Sequence, residues 1–426
     1  MNLCCFPGDL SGEIRIIPSK SAAHRAILLS ALSPESSDIS PIQSSQDIAA
    51  TLSCARTLWG FDRFSIHSRA GEDARLRVVP LAKPPQTAQR QLDCGESGST
   101  LRFFLPLALD GRGPVRFTGK GRLFQRPLAF YKQLFRAQGC TWIEGDSSLT
   151  VEGQLHAGDF EMPGDVSSQY VTGLLLALPR LPEDSRIHLA SPLQSLAYAE
   201  LTREMQRAFG VTSHWERDTL IIPGAQTYRS PGEVHVEGDW SHAAFYLVAG
   251  ALSRKGPVCI RGLSTESLQA DRSILSLLAS MGVRIEVSGE SVTAHPSALC
   301  AIEADCAQCP DLVPILAVAM ACAEGESRIT GAARLRLKES DRLAAMETAL
   351  GQVGVDCRAT DDGLCIRGGA IHAGRVSCFS DHRIVMAMAI AALRADGPVE
   401  LSDAQCTAKS APRFWEEFHA LGGDAR

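Results

Sequence analysis

The stretch PDLVPILAVAMACA, residues 310–323, joins a polar start to an almost wholly apolar body. Five other segments share this pattern, and they are HRAILLSAL from His24, SGSTLRFFLPLAL from Ser97, SSQYVTGLLLAL from Ser167, WSHAAFYLVAGAL from Trp240 and SDHRIVMAMAIAAL from Ser380. In chain order the six starts lie 73, 70, 73, 70 and 70 residues apart. Because the bodies are apolar on all faces, they predict helices that are buried on every side.

A second, more amphipathic helix is predicted after each of these segments, at residues 47–59, 127–138, 197–209, 272–281, 342–353 and 413–421. A glycine suited to a helix C-terminus follows each one: Gly60, Gly139, Gly210, Gly282, Gly354 and Gly422. Short β-branched runs bounded by turn residues predict strands, among them 115–118, 186–189, 258–261 and 399–401. The chain therefore consists of six α/β modules of about 70 residues each.

Six modules exceed what one hydrophobic core usually holds, because single cores stop growing near about 250–300 residues. Two domains of three modules are the simpler arrangement. A strand predicted at 12–17 precedes the first buried helix, so we expect it to complete the C-terminal domain. The predicted domains are 1–18 with 238–426, and 19–237. A ligand site is expected in the cleft between them.

The composition excludes several classes of protein. Hydrophobic residues make up 45% and charged residues 21%, as in soluble globular proteins. The net charge of −6 provides no general attraction for nucleic acid, so an anion must be bound by a local cluster. The longest apolar runs, within 311–323 and at 384–393, are shorter than the ~20 residues of a membrane span. Residues 1–18 do not resemble a signal peptide, and we expect a cytoplasmic protein.

Fourteen cysteines are scattered along the chain, and we expect them to be reduced thiols. Cys306 and Cys309 form a CxxC pair, with Cys300 and His295 nearby. Such a pair can bind zinc, but the second ligand pair is missing at the usual spacing. Buried or incidental thiols are the preferred interpretation.

Polar residues gather at the starts of the buried helices. They are Ser19, Lys20, Ser21 and Arg25 in the first, 96–102 in the second, Ser167, Ser168 and Gln169 in the third, Asp311 in the fifth, and Asp381, His382 and Arg383 in the sixth. The serines could be simple N-caps. Cations such as Lys20 and Arg25 are poorly placed against the helix dipole, and a bound anion would explain them.

The densest run of charge is RLRLKESDR at 334–342. Its alternation predicts a strand over 334–338, followed by a helix that begins at 340–341. Such a run could be a solvated turn. It could also be a phosphate or carboxylate clamp beside a proton donor. Lys409, before the last helix, is a further candidate cation. The chain lacks a GxxxxGK[ST] loop, a strand–GxGxxG–helix fingerprint, an HExxH pair and a GxSxG elbow.

Taken together, these segments resemble the 5-enolpyruvylshikimate-3-phosphate (EPSP) synthase family over nearly the whole chain. The matching segments include PSKSAAHRAILLSAL (18–32), LDCGESGSTLRF (92–103), GDVSSQYVTGLLLALP (164–179), RLKESDRLAAMETAL (336–350) and CTAKSAPRFWEEF (406–418). The resemblance implies a two-domain inside-out α/β barrel of six βαβαββ units, three per domain. It also implies transfer of the enolpyruvyl group of phosphoenolpyruvate to the 5-hydroxyl of shikimate 3-phosphate, without a metal or organic cofactor.

The same resemblance assigns candidate site residues. Shikimate 3-phosphate would contact Lys20, Ser21, Arg25, Ser167, Ser168, Gln169, Ser195 and Tyr198. Phosphoenolpyruvate would contact Lys20, Gly98, Arg126, Gln169, Arg342, Arg383 and Lys409. Asp311 would orient or deprotonate the 5-hydroxyl, and Lys338 and Glu339 would handle the proton at the methylene carbon. Domain closure would bring the cations of both halves together.

Two positions depart from the family pattern, since Glu96 and Arg334 stand where many members have Asn. Gly98 is retained, and it implies sensitivity to glyphosate. The closest alternative is the sister transferase that uses UDP-N-acetylglucosamine, but residues 120–126 lack its reactive Cys. A non-catalytic paralogue and an RNA-end cyclase built from related modules are further alternatives. We expect a monomer.

Overall fold

The computed structural model describes residues 1–68, 74–80, 90–165 and 167–426. The helices of this part of the chain are α1 Lys20–Leu32, α2 Gln46–Trp59, α3 Gly98–Ala108, α4 Ala129–Ala137, α5 Ser168–Ala177, α6 Leu196–Ala208, α7 Trp240–Leu252, α8 Ile274–Ser280, α9 Val313–Ala321, α10 Arg342–Gly351, α11 His382–Ala392 and α12 Phe414–Ala420. None of them is both long enough and apolar enough to cross a bilayer.

Short strands alternate with these helices. They are β1 Leu3–Cys5, β2 Gly12–Arg15, β3 Ser37–Ile42, β4 Phe64–His67, β5 Ala74–Val78, β6 Arg90–Asp93, β7 Val115–Thr118, β8 Thr141–Gly145, β9 Ser148–Glu152, β10 Asp159–Met162, β11 Ser185–Leu189, β12 His214–Glu216, β13 Thr219–Ile222, β14 Glu233–His235, β15 Val258–Arg261, β16 Ile285–Ser288, β17 Ser291–Ala294, β18 Glu303–Asp305, β19 Glu326–Thr330, β20 Asp356–Ala359, β21 Leu364–Arg367, β22 Gly374–Val376 and β23 Val399–Leu401. The predicted strands 115–118, 258–261 and 399–401 are confirmed, and 186–189 begins one residue earlier.

The chain divides into two compact units. Met1–Ile17 and Glu237–Arg426 form one, which we call the split unit. Pro18–Val236 form the other, the inserted unit.

Each unit contains three small sheets. Those of the inserted unit have the orders β14-β3-β5-β4, β6-β7-β9-β8 and β10-β11-β13-β12. Those of the split unit have the orders β16-β17-β15-β2, β18-β19-β21-β20 and β1-β23-β22. In β6-β7-β9-β8 the first pair is parallel and the other two are antiparallel. Since a parallel pair needs a crossover, α3 fills the connection between β6 and β7. The repeated α/β module is therefore confirmed.

Strands from distant parts of the chain complete three of these sheets. In the split unit, β2 lies parallel to β15, and β1 lies antiparallel to β23. In the inserted unit, β14 lies parallel to β3. The expectation that an N-terminal strand joins the C-terminal modules is met by the β2–β15 pairing.

The first helix of each module is buried, as its composition predicts. Every residue of α9 and α11 is buried, and so is all of α7 except Ser241. In the split unit α7, α9 and α11 pack against one another, and in the inserted unit α3 packs against α5. The second helices end within two residues of their predicted ends, and the glycine that follows each has positive φ, for example +77° at Gly139.

The predicted strand over 334–338 is wrong. Ala333–Leu337 form a 3₁₀ helix, and α10 then begins at Arg342 with Asp341 as its N-cap. A strand would place Leu335 and Leu337 on one face, but Leu335 is fully buried and Leu337 is 49% exposed. The alternation of Arg and Leu therefore belongs to a tight 3₁₀ turn and not to a β-strand.

The zinc alternative also finds no support in the part of the chain that the structure describes. No group of three or more His, Cys, Asp or Glu residues there could hold a metal ion. All fourteen cysteines are free, and Cys300 is exposed whereas Cys306 and Cys309 are buried. His295 faces Glu286, with 3.3 Å between Nε2 and Oε2.

Candidate active site

Arg342 is the centre of a buried charge cluster in the split unit. It is the first residue of α10, and only 2% of its side chain is exposed. Its Nε donates to Asp381 Oδ2 at 2.8 Å. Its two Nη atoms donate to Asp311 Oδ1 and Glu339 Oε2, each at 2.9 Å. One guanidinium therefore holds three carboxylates from three separate segments.

Asp311 lies in the 3₁₀ turn Pro310–Leu312, immediately before α9. Lys338 Nζ lies 3.4 Å from its Oδ1, and Arg383 Nη2 lies 3.4 Å from its Oδ2. Arg383 Nη1 also donates to the Asp311 carbonyl at 3.2 Å. Burial alone would raise the pKa of Asp311. The cations Arg383, Lys338 and Arg342 outweigh burial and hold that pKa well below its ordinary value.

Lys409 completes the cluster from the 3₁₀ helix Ala404–Lys409. Its Nζ lies 3.2 Å from Glu339 Oε1, so Glu339 is shared between Lys409 and Arg342. Arg383 additionally donates to Ser241 Oγ, at the start of α7, at 2.9 Å.

Four cations and three carboxylates are joined by the ion pairs of this cluster. Its cations are Lys338, Arg342, Arg383 and Lys409, and its carboxylates are Asp311, Glu339 and Asp381. Burial opposes the charged form of Arg342, but Asp381, Glu339 and Asp311 raise its pKa overall. Buried ion networks stabilise folds poorly, so a cluster of this size indicates a functional site. Its four cationic side chains are of the kind that binds phosphate and carboxylate groups.

In the inserted unit, Arg25 ties three helices together. Its Nε donates to Thr202 Oγ1 at 2.8 Å, and its Nη2 donates to Thr172 Oγ1 at 3.1 Å and to the Tyr198 carbonyl at 2.9 Å. Its Nη1 donates to the Ser21 carbonyl at 2.7 Å. Burial lowers the pKa of Arg25 to about 10, so it remains charged near neutrality.

Gln169 and Arg102 join the starts of α3 and α5. Gln169 Nε2 donates to Ser99 Oγ at 2.9 Å, and Arg102 Nη1 donates to Gln169 Oε1 at 3.2 Å. Arg102 Nη2 also donates to the Pro127 carbonyl at 2.9 Å, and the Tyr170 hydroxyl donates to the same oxygen. These bonds fix the backbone that follows Arg126.

Arg126 lies against Gly98, the first residue of α3. A Cβ atom at Gly98 would stand 2.6 Å from Arg126 Cζ and 2.8 Å from its Nη2. The absence of a side chain at Gly98 is therefore what lets the Arg126 guanidinium approach this helix start. Arg126 is 9% exposed.

The remaining predicted residues occupy other helix starts of the inserted unit. Lys20 opens α1, and its Nζ lies 2.8 Å from Asp47 Oδ2. Ser167 is the N-cap of α5 and accepts from the Gln169 N–H at 3.4 Å, and Ser168 is the next residue. Ser195 precedes α6 with a left-handed φ of +56°, an uncommon conformation outside glycine that recurs at functional sites.

Sequence reasoning missed several partners of these residues. Asp381 was expected only as the start of a buried helix, yet it accepts from both Arg342 and Ser340. No sequence feature marked Asp47, Ser241 or the two threonines that bind Arg25 as partners of site residues. Their partners lie far away in sequence, so only the fold reveals them.

The two departures from the family pattern have local explanations. Glu96 lies against the Lys120–Arg122 turn. The approach is close, since a Cβ atom placed on Gly121 would stand 2.6 Å from Glu96 Oε1. Arg334 donates to the Ala307 carbonyl at 2.8 Å, so it points at the loop that precedes Asp311.

A family model described as EPSP synthase (3-phosphoshikimate 1-carboxyvinyltransferase) matches residues 6–418. The chain belongs to the EPSP synthase family. A 3-phosphoshikimate 1-carboxyvinyltransferase of Clostridium kluyveri is 40% identical over 430 residues, which cover 98% of this chain and 96% of that relative. The enzyme of the same name from Clostridium novyi is also 40% identical, with 99% and 98% covered.

Solved structures of EPSP synthases agree with this assignment. The EPSP synthase of Acinetobacter baumannii has a TM-score of 0.81 and 25% identity, with 100% of this chain and 99% of that chain covered. The enolpyruvyl transferase NikO of Streptomyces tendae shares the fold, with a TM-score of 0.78 and 19% identity over 100% and 98% of the two chains. The family and the two-domain α/β fold expected from the sequence are both confirmed.

Proposed function

We propose that this chain transfers the enolpyruvyl group of phosphoenolpyruvate to the 5-hydroxyl of shikimate 3-phosphate and releases phosphate. This reaction belongs to the shikimate route to chorismate and the aromatic amino acids. The observation that carries the proposal is the Arg342 cluster, in which four cations surround three carboxylates within a chain of the EPSP synthase family. Two substrates that both carry phosphate and carboxylate groups need several Arg and Lys side chains.

The split unit is proposed to act on phosphoenolpyruvate. Arg342, Arg383 and Lys409 would bind its acidic groups. The 5-oxygen adds to C2 while C3 gains a proton, and loss of phosphate and of a C3 proton then restores the double bond. Glu339, with Lys338 beside it in sequence, would carry that C3 proton in both directions.

Asp311 is proposed to receive the 5-hydroxyl. Its depressed pKa keeps it ionised at neutral pH, which suits it to accept a hydrogen bond from the hydroxyl and to orient the oxygen. The same cations make it a weak base in the ligand-free protein. Orientation is therefore the role that the ligand-free charges favour for Asp311.

The inserted unit is proposed to bind shikimate 3-phosphate. Ser167, Ser168 and Ser195 would take the phosphate at helix starts, where N–H groups and the dipole favour an anion. The ring and its carboxylate would contact Lys20, Ser21, Arg25, Gln169 and Tyr198. Gly98, Arg126, Lys20 and Gln169 would contribute further contacts to phosphoenolpyruvate.

We further propose that the enzyme is a cytoplasmic monomer, that it needs no cofactor and that it is inhibited by glyphosate. Size-exclusion chromatography with light scattering tests the monomer. Dialysis against a chelator should leave the rate unchanged. Millimolar glyphosate should lower turnover, and unchanged turnover would remove that part of the proposal.

The decisive experiment is phosphate release from phosphoenolpyruvate, measured with shikimate 3-phosphate and separately with UDP-N-acetylglucosamine. We expect release with shikimate 3-phosphate alone. Release with the sugar nucleotide instead would assign the chain to the sister reaction. Release with neither acceptor would indicate a non-catalytic relative.

A further inference from the structure

Two buried cysteines lie directly before the Asp311 turn. Cys306 follows β18, and Cys309 caps the 3₁₀ turn that carries Asp311. The Cys309 N–H donates to the Cys306 carbonyl at 3.1 Å. Such a backbone bond closes a four-residue turn whose end Cα atoms lie within about 7 Å. A disulfide accepts Cα separations of about 4.4–6.8 Å, so the pair can be linked with little movement.

The two thiols are not equivalent. The pKa of Cys309 is lowered, chiefly through its interaction with Cys306, which outweighs the effect of burial. The pKa of Cys306 is raised, first by its interaction with Cys309 and then by burial. Cys309 is also the more accessible, at 5% exposed against 0% for Cys306. Cys309 is therefore the better placed of the two to attack an oxidant, and Cys306 is placed to resolve the product.

We propose that Cys306 and Cys309 form a reversible redox site that reacts with small hydroperoxides and thereby slows the reaction in which Asp311 takes part. The oxidant must be small because both thiols are nearly buried. Cys309 thiolate attacks the terminal peroxide oxygen, breaks the O–O bond and becomes a sulfenic acid, and hydroxide leaves from hydrogen peroxide or an alkoxide from an organic hydroperoxide. Cys306 then attacks Cys309 Sγ, and its proton leaves with the hydroxyl as water. Two electrons thus pass from the two sulfurs to the peroxide.

Asp311 is two residues from the sulfur that moves. Closing the pair joins the two sulfurs by an S–S bond of about 2.05 Å and therefore draws Cys309 Sγ towards Cys306. The Asp311 carbonyl is held by Arg383 at 3.2 Å and its carboxylate by Arg342 at 2.9 Å. A misplacement of about 1 Å in an active site can cost up to about 10²-fold in rate. The expected loss of rate rests on the proposed function, whereas formation of the disulfide does not.

The chain contains an internal comparison. Cys54 and Cys94 are also neighbouring buried thiols, but they lie on separate elements of the inserted unit. Burial and this neighbour raise the pKa of Cys94 well above its ordinary value. The Cys54–Cys94 pair should therefore stay reduced under conditions that oxidise Cys306 and Cys309.

The test treats the reduced full-length enzyme with hydrogen peroxide, alkylates the remaining thiols and maps disulfides by peptide mass. The same samples are assayed for phosphate release. We expect a Cys306–Cys309 disulfide and a loss of rate of about tenfold, both reversed by dithiothreitol. Cys357→Ser, which removes another buried thiol of the split unit, should behave like the parent. Cys306→Ser should form no such disulfide and should leave Cys309 as a sulfenic acid that a 1,3-diketone traps.

Either of two outcomes would overturn the proposal. In one, peroxide oxidises other cysteines while Cys306 and Cys309 remain free. In the other, their disulfide forms and the rate does not change. An untreated enzyme that releases no phosphate would refute the proposed function instead, and the peptide map would still decide whether the thiols react.

Discussion

Asp311 shows how opposing effects on one carboxyl group are resolved by its neighbours. Burial favours its neutral form, but three cations within 3.4 Å favour its charged form and prevail. Removing the carboxylate charge would leave those cations facing one another. The residue is therefore as important to the local charge balance as to the proposed chemistry.

This balance makes acid stability a test of Asp311. Its folded pKa lies below the unfolded value of about 3.9, so its contribution is complete above that pH and is lost as the pH falls towards the folded pKa. We expect the free energy of unfolding of the parent to fall more steeply below about pH 4 than that of Asp311→Asn. Urea unfolding between pH 5 and pH 3 measures both slopes. Parallel slopes would contradict the assigned shift.

Gly98 tests the position of Arg126. In Gly98→Ala the new methyl group displaces the Arg126 guanidinium, since their atoms would otherwise stand 2.6–2.8 Å apart. We expect KM for phosphoenolpyruvate to rise about tenfold, the equivalent of one weakened charged hydrogen bond. Gly351→Ala is the matched control, because a Cβ there meets nothing within 4 Å. Steady-state kinetics in which both variants match the parent would rule out this role of Gly98.

The sequence and its family resemblance gave the candidate cations and the carboxylates Asp311 and Glu339, but they did not give which side chains pair with which. Lys20, Arg25 and Arg383 were noticeable because a positive charge at the start of an apolar helix conflicts with the helix dipole. Asp381 was noted only as part of a polar helix start and Asp47 was not noted, because an acidic residue at a helix start is also an ordinary cap. Only the fold brings Asp381 to Arg342, 39 residues earlier in the chain.

At the scale of elements, α11 begins from a strained backbone. Phe379 and Ser380, just before its N-cap Asp381, have left-handed φ values of +54° and +53°. Left-handed conformations cost residues with a Cβ roughly 1–2 kcal/mol each. The helix start that presents Arg383 is thus held in place at the expense of fold stability.

Ser380→Asn should relieve part of this strain, because Asn tolerates the left-handed region. We expect the protein to be more stable by about 1 kcal/mol. Ser380→Ala keeps the same backbone problem and should give no gain. Thermal unfolding compares the two variants, and equal midpoints would show that the strain at this position is negligible.

A buried clamp joins α7 to α12, the helix that follows Lys409. His242 Nε2 lies 2.7 Å from Glu417 Oε2, and the Tyr246 hydroxyl donates to the same oxygen at 2.9 Å. His242 and Glu417 are only 3% and 4% exposed. Breaking a buried pair on one side typically costs about 3–5 kcal/mol, because the other partner remains buried.

We therefore expect Glu417→Ala to lower the free energy of unfolding by about 3 kcal/mol. Glu417→Gln should lose much less, since its amide oxygen can still accept from Tyr246. Denaturant unfolding distinguishes these outcomes. If the two variants lose the same amount, the carboxylate charge rather than the hydrogen-bond geometry is what matters.

The elements were predicted with unequal success, for a physical reason. Buried helices such as α9 and α11 can be recognised in the sequence, because segments that are apolar on all faces predict helices buried on every side. The segment 334–338 was wrongly predicted to be a strand, because its alternation of charged residues and Leu is compatible with both a β-strand and a tight turn. The difference between buried Leu335 and exposed Leu337 decides between them, and burial depends on the packing of the whole unit.

At the scale of the whole molecule, the first residues of the chain belong to the split unit. β1 pairs with β23, the Cys4 N–H donates to the Arg426 carbonyl at 2.8 Å, and the Phe6 N–H donates to the Asp424 carbonyl at 2.9 Å. Removing residues 1–8 should therefore destabilise the split unit and leave the inserted unit unchanged. Calorimetry with limited proteolysis would assign the two transitions. A shift of both transitions by the same amount would mean that the units unfold together.

The distant pairing of β1 also sets an order of events during biosynthesis. Leu3 pairs with Leu401, so the first strand leaves the ribosome long before its partner exists. At roughly 5–20 residues per second, that delay is on the order of 20–80 s. The inserted unit is complete by Val236 and can fold within this interval. A nascent chain that stalls after Val236 should therefore contain a folded inserted unit. The segment that carries β1 should still be unpaired and accessible to chaperones.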